Sequence, residues 1–370
     1  MCKRFLLIYL CCVGWPSLIL AEDGTTDFYL ELKPTSYRAA WSGDENIALW
    51  KTQARIMLRK ALLWPDQVVD FSPELLASEP RQGYRAERWA LQVTAESRIT
   101  VLLLRPDSTE PQPALLLLHD HGARFDIGKE KMIRPLAGDH RLASATEWVE
   151  RYFSGHFIGD ELARQGYLVL AADTFGWSDR GRVEYEQQQA LAANFFLAGR
   201  SLAGMAAYED MRLVDFLSGL DGVDADRIGV VGFSMGAFRA WQLAALTDQV
   251  KATVAVAWMN RYQDLLLPGN NILRGQSSFY MLHPGLNAQL DIPDVAGIAA
   301  PKAMMLINGA QDQLMPIAGV QAAYQRMQQI WQAHDAADQL QTGLWPGAGH
   351  EFNAAQQLQA WQWLATQLDP

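Results

Sequence analysis

Ile228-Gly229-Val230-Val231-Gly232-Phe233-Ser234-Met235-Gly236 joins an apolar run to an alanine-rich stretch ending near Leu246, through one serine set between two glycines. The run reads as a strand buried on both faces and the stretch after it as a helix, so the serine occupies a strand-to-helix turn. So tight a turn aims its central side chain out of the sheet in a strained backbone conformation, and the glycines on either side leave room for neighbouring elements. The helix that follows points its first amide groups at the same place, where they stabilise negative charge. Ser234 therefore reads as an exposed nucleophile rather than as a plain helix N-cap, the other role serine favours here. A dinucleotide fingerprint fails, because Gly229, Gly232 and Gly236 lack its G-x-G-x-x-G spacing.

Working outward, further apolar runs read as strands: Ala114 to Leu118, Tyr167 to Ala172, Ala252 to Trp258, Ala303 to Asn308 and, more weakly, Leu340 to Trp345. Helical patterns alternate with them over Phe153 to Gln165, Gln187 to Leu217, Met235 to Leu246, Val320 to His334 and Ala354 to Leu368. That alternation predicts an α/β protein with a mostly parallel central sheet flanked by helices, and ligands in such sheets gather outside the carboxyl ends of the strands. Upstream, Arg88 to Val93 and Ile99 to Leu104 around the polar Thr94 to Arg98 read as an antiparallel hairpin. Residues 22–83 read as an N-terminal helical extension, on Ile47, Trp50, Ala54, Met57, Leu58 and Ala61 at helical spacing before Trp64-Pro65. Residues 84–370 then form the catalytic domain, and within it 259–300 is long enough to hold helices that cover the site.

A serine hydroxyl needs a base within hydrogen-bond reach, and the base needs a carboxylate to fix its tautomer. In the expected chain order of serine, acid and histidine, Asp312 follows the strand ending at Asn308, and His350 lies in the loop Pro346 to Phe352 before the terminal helix. Asp264, after the preceding strand, is a rival acid. Of the other histidines, His140 and His334 read as surface residues, while His156 and His283 fall outside the expected order and would at most line the pocket. The oxyanion hole is expected to pair the Met235 amide with one from His119-Asp120-His121-Gly122-Ala123-Arg124-Phe125, Ala123 first and Gly122 next.

No metal site is expected in that loop, since Ala123 and Arg124 stand where the H-x-H-x-D-H pattern needs Asp and His. His119 and His121 are expected to brace the loop by hydrogen bonds. Lys129-Glu130-Lys131 reads as a solvated charge run. Phe125, Trp177, Phe233, Trp258 and Tyr262 fall near strand ends and are candidates for an apolar or sugar-stacking wall, although core packing explains aromatics equally well.

The chain has 370 residues, of which 49% are hydrophobic and 19% charged, which excludes disorder and fibrous repeats. A net charge of −10 without a basic stripe argues against a nucleic-acid partner. At the beginning, Lys3-Arg4, the apolar run Phe5 to Val13 and small residues up to Ala21 have the plan of a signal peptide over 1–21, too short to span a bilayer, so export to the periplasm or medium is expected. Cys2, Cys11 and Cys12 all lie inside it. A mature chain cut there keeps no thiol for a disulfide, a zinc site or a nucleophile. No cofactor is implied.

From about Tyr84 onward the sequence resembles the α/β-hydrolase superfamily, and within it the acetyl xylan esterase and dienelactone hydrolase-like branch of bacterial esterases. The resemblance rests on the serine motif with Asp312 and His350, on Ala172-Asp173-Thr174-Phe175-Gly176-Trp177-Ser178 after a strand, on Asp224-Ala225-Asp226-Arg227-Ile228-Gly229, and on Ala300-Pro301-Lys302. It implies cleavage of a small-molecule or carbohydrate ester through an acyl-enzyme. A serine peptidase of the same scaffold, or a catalytically silent binding protein that kept the fold, are the competing readings.

Overall fold

The computed structural model describes residues 34, 36–43, 45–65, 67–266 and 276–368. The expected signal segment 1–21 lies outside the described residues. Pro34–Pro370 form one compact unit.

Among the described residues nine strands make a single sheet in the order β1-β2-β3-β5-β4-β6-β7-β8-β9. These are β1 (Glu74–Arg81), β2 (Tyr84–Gln92), β3 (Arg98–Pro106), β4 (Gln112–Leu118), β5 (Leu168–Ala172), β6 (Val223–Phe233), β7 (Val250–Val256), β8 (Ala303–Gly309) and β9 (Leu340–Trp345). From β5 to β9 every pairing is parallel, whereas β1 to β3 join antiparallel at one edge and β3 meets β5 antiparallel. The apolar runs are central because helices cover both faces. In β4, Ala114, Leu116 and Leu118 belong to one core and Leu115 and Leu117 to the other.

On the first face lie α1 (Ile47–Leu62), α4 (Tyr185–Leu197), α5 (Leu202–Ser218), α6 (Met235–Leu246), α8 (Ile292–Gly297) and α9 (Ile317–Ala333); on the second lie α2 (Leu142–Tyr152), α3 (Ile158–Arg164) and α10 (Ala354–Leu368). The short α7 (Tyr262–Leu265) follows β7. Within the segment expected to cover the site, α8 and the 3-10 turn Gln276–Tyr280 pack on α6 and on α4 and α5 respectively.

Three expectations change. The segment 22–83 is not wholly helical: Glu74–Arg81 is an edge strand paired with β2. Exposure on both faces leaves it no apolar alternation, and Pro80 is tolerated at an edge. The single helix expected over 187–217 is two, parted at Gly199, whose φ of +71° favours glycine, with Ser201 capping the second through Gly204 N at 2.9 Å. The helix expected over 153–165 begins only at Ile158, after Gly155 turns the chain at φ +82°. Among the described residues no single helix is long and apolar enough to cross a membrane.

Candidate active site

β6 runs directly into α6, and Ser234 between them has φ 54° and ψ −122°, the strain expected of the turn. Both flanking glycines are required by close approach rather than by dihedral. A Cβ on Gly232 would stand 2.0 Å from the Gly236 carbonyl oxygen, and one on Gly236 would stand 1.9 Å from that of Leu118. The second contact presses the elbow against the end of β4, so the loop that follows β4 begins beside the serine. Ser234 N donates to Val256 O at 2.8 Å, tying the elbow to β7.

β8 delivers Asp312 and the loop after β9 delivers His350. The imidazole Nε2 lies 2.9 Å from Ser234 Oγ, and Nδ1 lies 2.7 Å from Asp312 Oδ2. Asp312 is buried, and its other oxygen accepts from Leu314 N at 2.8 Å, so both oxygens are committed. The arrangement fixes the proton on Nδ1 and leaves Nε2 to accept from the serine hydroxyl. Asp264 is instead paired with Arg261, Nε to Oδ2 2.6 Å.

The loop after β4 is braced as expected. His119 donates from Nδ1 to Asp120 O at 2.8 Å and accepts at Nε2 from Thr174 N at 3.1 Å. His121 donates from Nε2 to Gln188 Oε1 at 2.9 Å and accepts at Nδ1 from Ala123 N at 3.3 Å. Burial holds both rings neutral, pushing His121 down to about 4 and His119 well below the usual histidine range. The Ala123 amide is thus turned toward its own loop, whereas the amides of Gly122 and Met235 have no acceptor among the described residues.

Lys129-Glu130-Lys131 is not a solvated run: all three side chains are fully buried. Lys129 Nζ lies 2.6 Å from Asp173, 2.8 Å from Asp179 and 2.9 Å from Glu130. Those three carboxylates converge closely enough to hold a cation, and the ammonium supplies one. Lys131 Nζ meets Asp120 Oδ2 at 3.2 Å, Asp120 O at 3.2 Å and His121 O at 3.1 Å, under the face of Trp148 at 4.4 Å. Charge neutralisation by residues distant in sequence keeps such a run out of water.

Most of the aromatic candidates are structural. Trp177, Phe233, Trp258 and Tyr262 are each 2% exposed or less. Trp177 donates to His121 O at 3.2 Å, Phe233 packs on Phe153 and the His350 ring, Trp258 packs on Phe238 and Trp241, and Tyr262 faces His283. Packing accounts for them and leaves no face for a substrate. Phe125 is half-buried and meets Tyr185 edge-on at 88°. Tyr185, 43% exposed and stacked on His121, escaped the sequence reading because it opens a helix whose pattern carries no chemical signal. Asp120, Lys131 and Gln188 escaped it too, since their roles depend on partners brought together only by folding. His283 is buried against Phe238 and Gln242, and His156 bonds Gln357 at 2.9 Å.

The comparisons agree with this architecture. The chain is 29% identical over 269 residues to the Bacillus subtilis (strain 168) protein named "Putative hydrolase YtaP", covering 72% of this chain and 83% of that one. Among solved structures it is similar to a "putative acetyl xylan esterase" of Bacteroides fragilis NCTC 9343, at TM-score 0.68 and 19% identity over 88% of this chain and 84% of that one. It is also similar to a glucuronoyl esterase from Solibacter usitatus, at TM-score 0.65 and 13% identity over 90% and 98% respectively. The abhydrolase family model matches residues 24–340, which take in the elbow, the loop after β4 and the acid-bearing strand end. The chain accordingly belongs to the abhydrolase family and has the α/β-hydrolase fold.

Proposed function

We propose that this protein is a serine hydrolase of carboxylic esters that works through an acyl-enzyme on Ser234. The observation that carries this reading is the unbroken hydrogen-bond chain Asp312–His350–Ser234, seated on a strained elbow at the carboxyl ends of the strands. His350 takes the hydroxyl proton as Ser234 Oγ attacks the ester carbonyl, Asp312 stabilises the imidazolium that forms, and backbone amides hold the oxyanion. The protonated His350 then gives its proton to the departing alcohol. Water, deprotonated by the same base, releases the acid and restores the serine.

Met235 supplies one of those amides in this reading, and the loop after β4 the other. The free amide of Gly122 favours it over Ala123. The half-exposed corner of Phe125 and Tyr185 beside that loop suits a ring-shaped alcohol, and the similar structures named for an acetyl xylan esterase and a glucuronoyl esterase support carbohydrate esters as the first substrates to try. Export, proposed on the sequence of residues 1–21, would bring the enzyme to such polymers.

A fluorophosphonate should label Ser234 in the purified protein. Ser234→Ala should keep the melting temperature, lose the label and lose hydrolysis by several orders of magnitude, and unchanged turnover in this variant would refute the assignment. Screening acetylated sugars, aryl esters, lactones and peptides separates an esterase from a peptidase, and failure of every one with an unlabelled serine would favour a silent binding protein.

A further inference from the structure

The peptide groups of the loop after β4 are held from behind. An ammonium carries three N–H donors, and Lys131 Nζ faces three oxygens: Asp120 O at 3.2 Å, His121 O at 3.1 Å and Asp120 Oδ2 at 3.2 Å. Two of these are the carbonyl oxygens of consecutive peptide units, Asp120–His121 and His121–Gly122. The His121 oxygen also accepts from Trp177 Nε1 at 3.2 Å, so both of its lone pairs are engaged. The N–H of that same peptide unit belongs to Gly122, and it has no acceptor among the described residues.

Hydrogen bonds donated to a carbonyl draw electron density from its amide and strengthen the N–H as a donor. A buried cation in that position does so more than a neutral group. Sterics fix the unit as well. Gly122 has φ +53°, and a Cβ there would lie 2.2 Å from the Trp148 ring and 2.3 Å from Asp120 Oδ2. Trp148 in turn donates to Asp120 Oδ1 at 3.2 Å and lies over the Lys131 ammonium.

We infer that Lys131, with Trp177, is a positioning residue of the oxyanion hole: it locks and polarises the His121–Gly122 peptide so that its N–H meets the developing oxyanion without rearrangement. The inference rests on the esterase reading above. It requires a kcat effect, because the oxyanion exists only on the way through the tetrahedral state. It also gives a role to a lysine whose burial pushes its pKa below the ordinary lysine range.

The test uses the full mature chain and an aryl acetate. Lys131→Met keeps the apolar stem and removes the ammonium with its donors, and Lys131→Met/Asp120→Asn also removes the carboxylate that the first change leaves without its cation, so at least one variant should fold. Trp177→Phe keeps an aromatic side chain and deletes the single N–H, with its melting temperature measured to register the space the smaller ring leaves. Both Lys131 variants should lose about 10- to 100-fold in kcat with KM within about twofold, and Trp177→Phe about 3- to 10-fold, as expected for a misplaced rather than a deleted oxyanion donor. Affinity for an aryl boronic acid, whose tetrahedral adduct occupies the hole, should fall in step with kcat/KM.

Folded, fluorophosphonate-labelled Lys131 variants with wild-type kcat and boronate affinity would overturn the inference. So would a kcat loss with boronate affinity intact. A wild-type chain that neither labels nor hydrolyses esters would be a failure of the esterase reading instead, and is seen before any variant is made.

Discussion

Asp312 and Asp264 each follow a strand of the parallel sheet, and chain order alone permits either as the partner of His350. Their side chains separate them. Asp312 spends one oxygen on the imidazole and the other on Leu314 N, whereas Asp264 is held by the Arg261 guanidinium. On the proposed mechanism, Asp312→Asn should lower kcat by about 10⁴-fold, because an amide facing Nδ1 favours the wrong tautomer. Asp264→Asn should leave kcat within about twofold, since it breaks only a partly exposed ion pair. Steady-state rates of the two purified variants decide this, and a larger loss for Asp264→Asn would move the acid to α7. The meeting of Ser234, Asp312 and His350 was legible in the sequence because each stands in a fixed setting: a glycine-flanked turn, a strand end, a glycine-rich loop. The role of Lys131 was not, because its acceptors lie ten and eleven residues back and its aromatic neighbours, Trp148 and Trp177, come from different connections. A sequence shows such a residue only as a charge.

At the scale of elements, α6 is stabilised at its C-terminal end, where the carbonyls that have no helical partner are met by basic side chains. Lys302 Nζ donates to Ala244 O and Thr247 O, Arg55 Nε to Ala245 O at 2.8 Å, and Arg59 to Leu246 O at 2.9 Å. Positive charge at a helix C-terminus also complements its dipole. Lys302 is largely buried, and burial first, then Lys51 and Arg55 nearby, bring its pKa down to about 7 against the pull of Asp248. Between that value and the unfolded lysine's 10.5 the unfolded chain holds a proton that the native one has released. Stability must therefore rise with pH across this window. Lys302→Met should flatten the rise by up to about 1.4 kcal/mol per pH unit, one proton's worth. Urea unfolding at several pH values from 7.5 to 9.5 reads the slope directly, and equal slopes in the two proteins would reject it. Periodicity made the elements themselves legible wherever both faces are buried. It failed at the edge strand β1, and across the break at Gly199, where one helical period runs through two helices.

At the scale of the whole molecule, the question is whether the N-terminal segment belongs to the fold that carries the site. α1 buries Trp50, Ala54, Leu58 and Leu62, one stripe at four-residue spacing, in the same core as α5 and α6. Its C-terminal end is seated directly on α5. The Leu62 carbonyl accepts from Ser201 Oγ at 2.5 Å, and a Cβ on Gly204 would stand 1.7 Å from that same oxygen. A backbone oxygen cannot swing aside as a long side chain can, so only glycine at 204 lets the two helices meet. In an unencumbered helix interior, glycine to alanine gains about 1 kcal/mol. Here Gly204→Ala should instead cost roughly 3 kcal/mol, because α1 must withdraw and take part of its buried stripe with it. The same withdrawal would pull Arg55 and Arg59 from the end of α6, so kcat on an aryl ester should fall along with the urea midpoint. A midpoint that stays or rises would mean that α1 is an appendage. A lowered midpoint accompanied by lost turnover would mean that one cooperative core runs from the N-terminal helix to the elbow at Ser234.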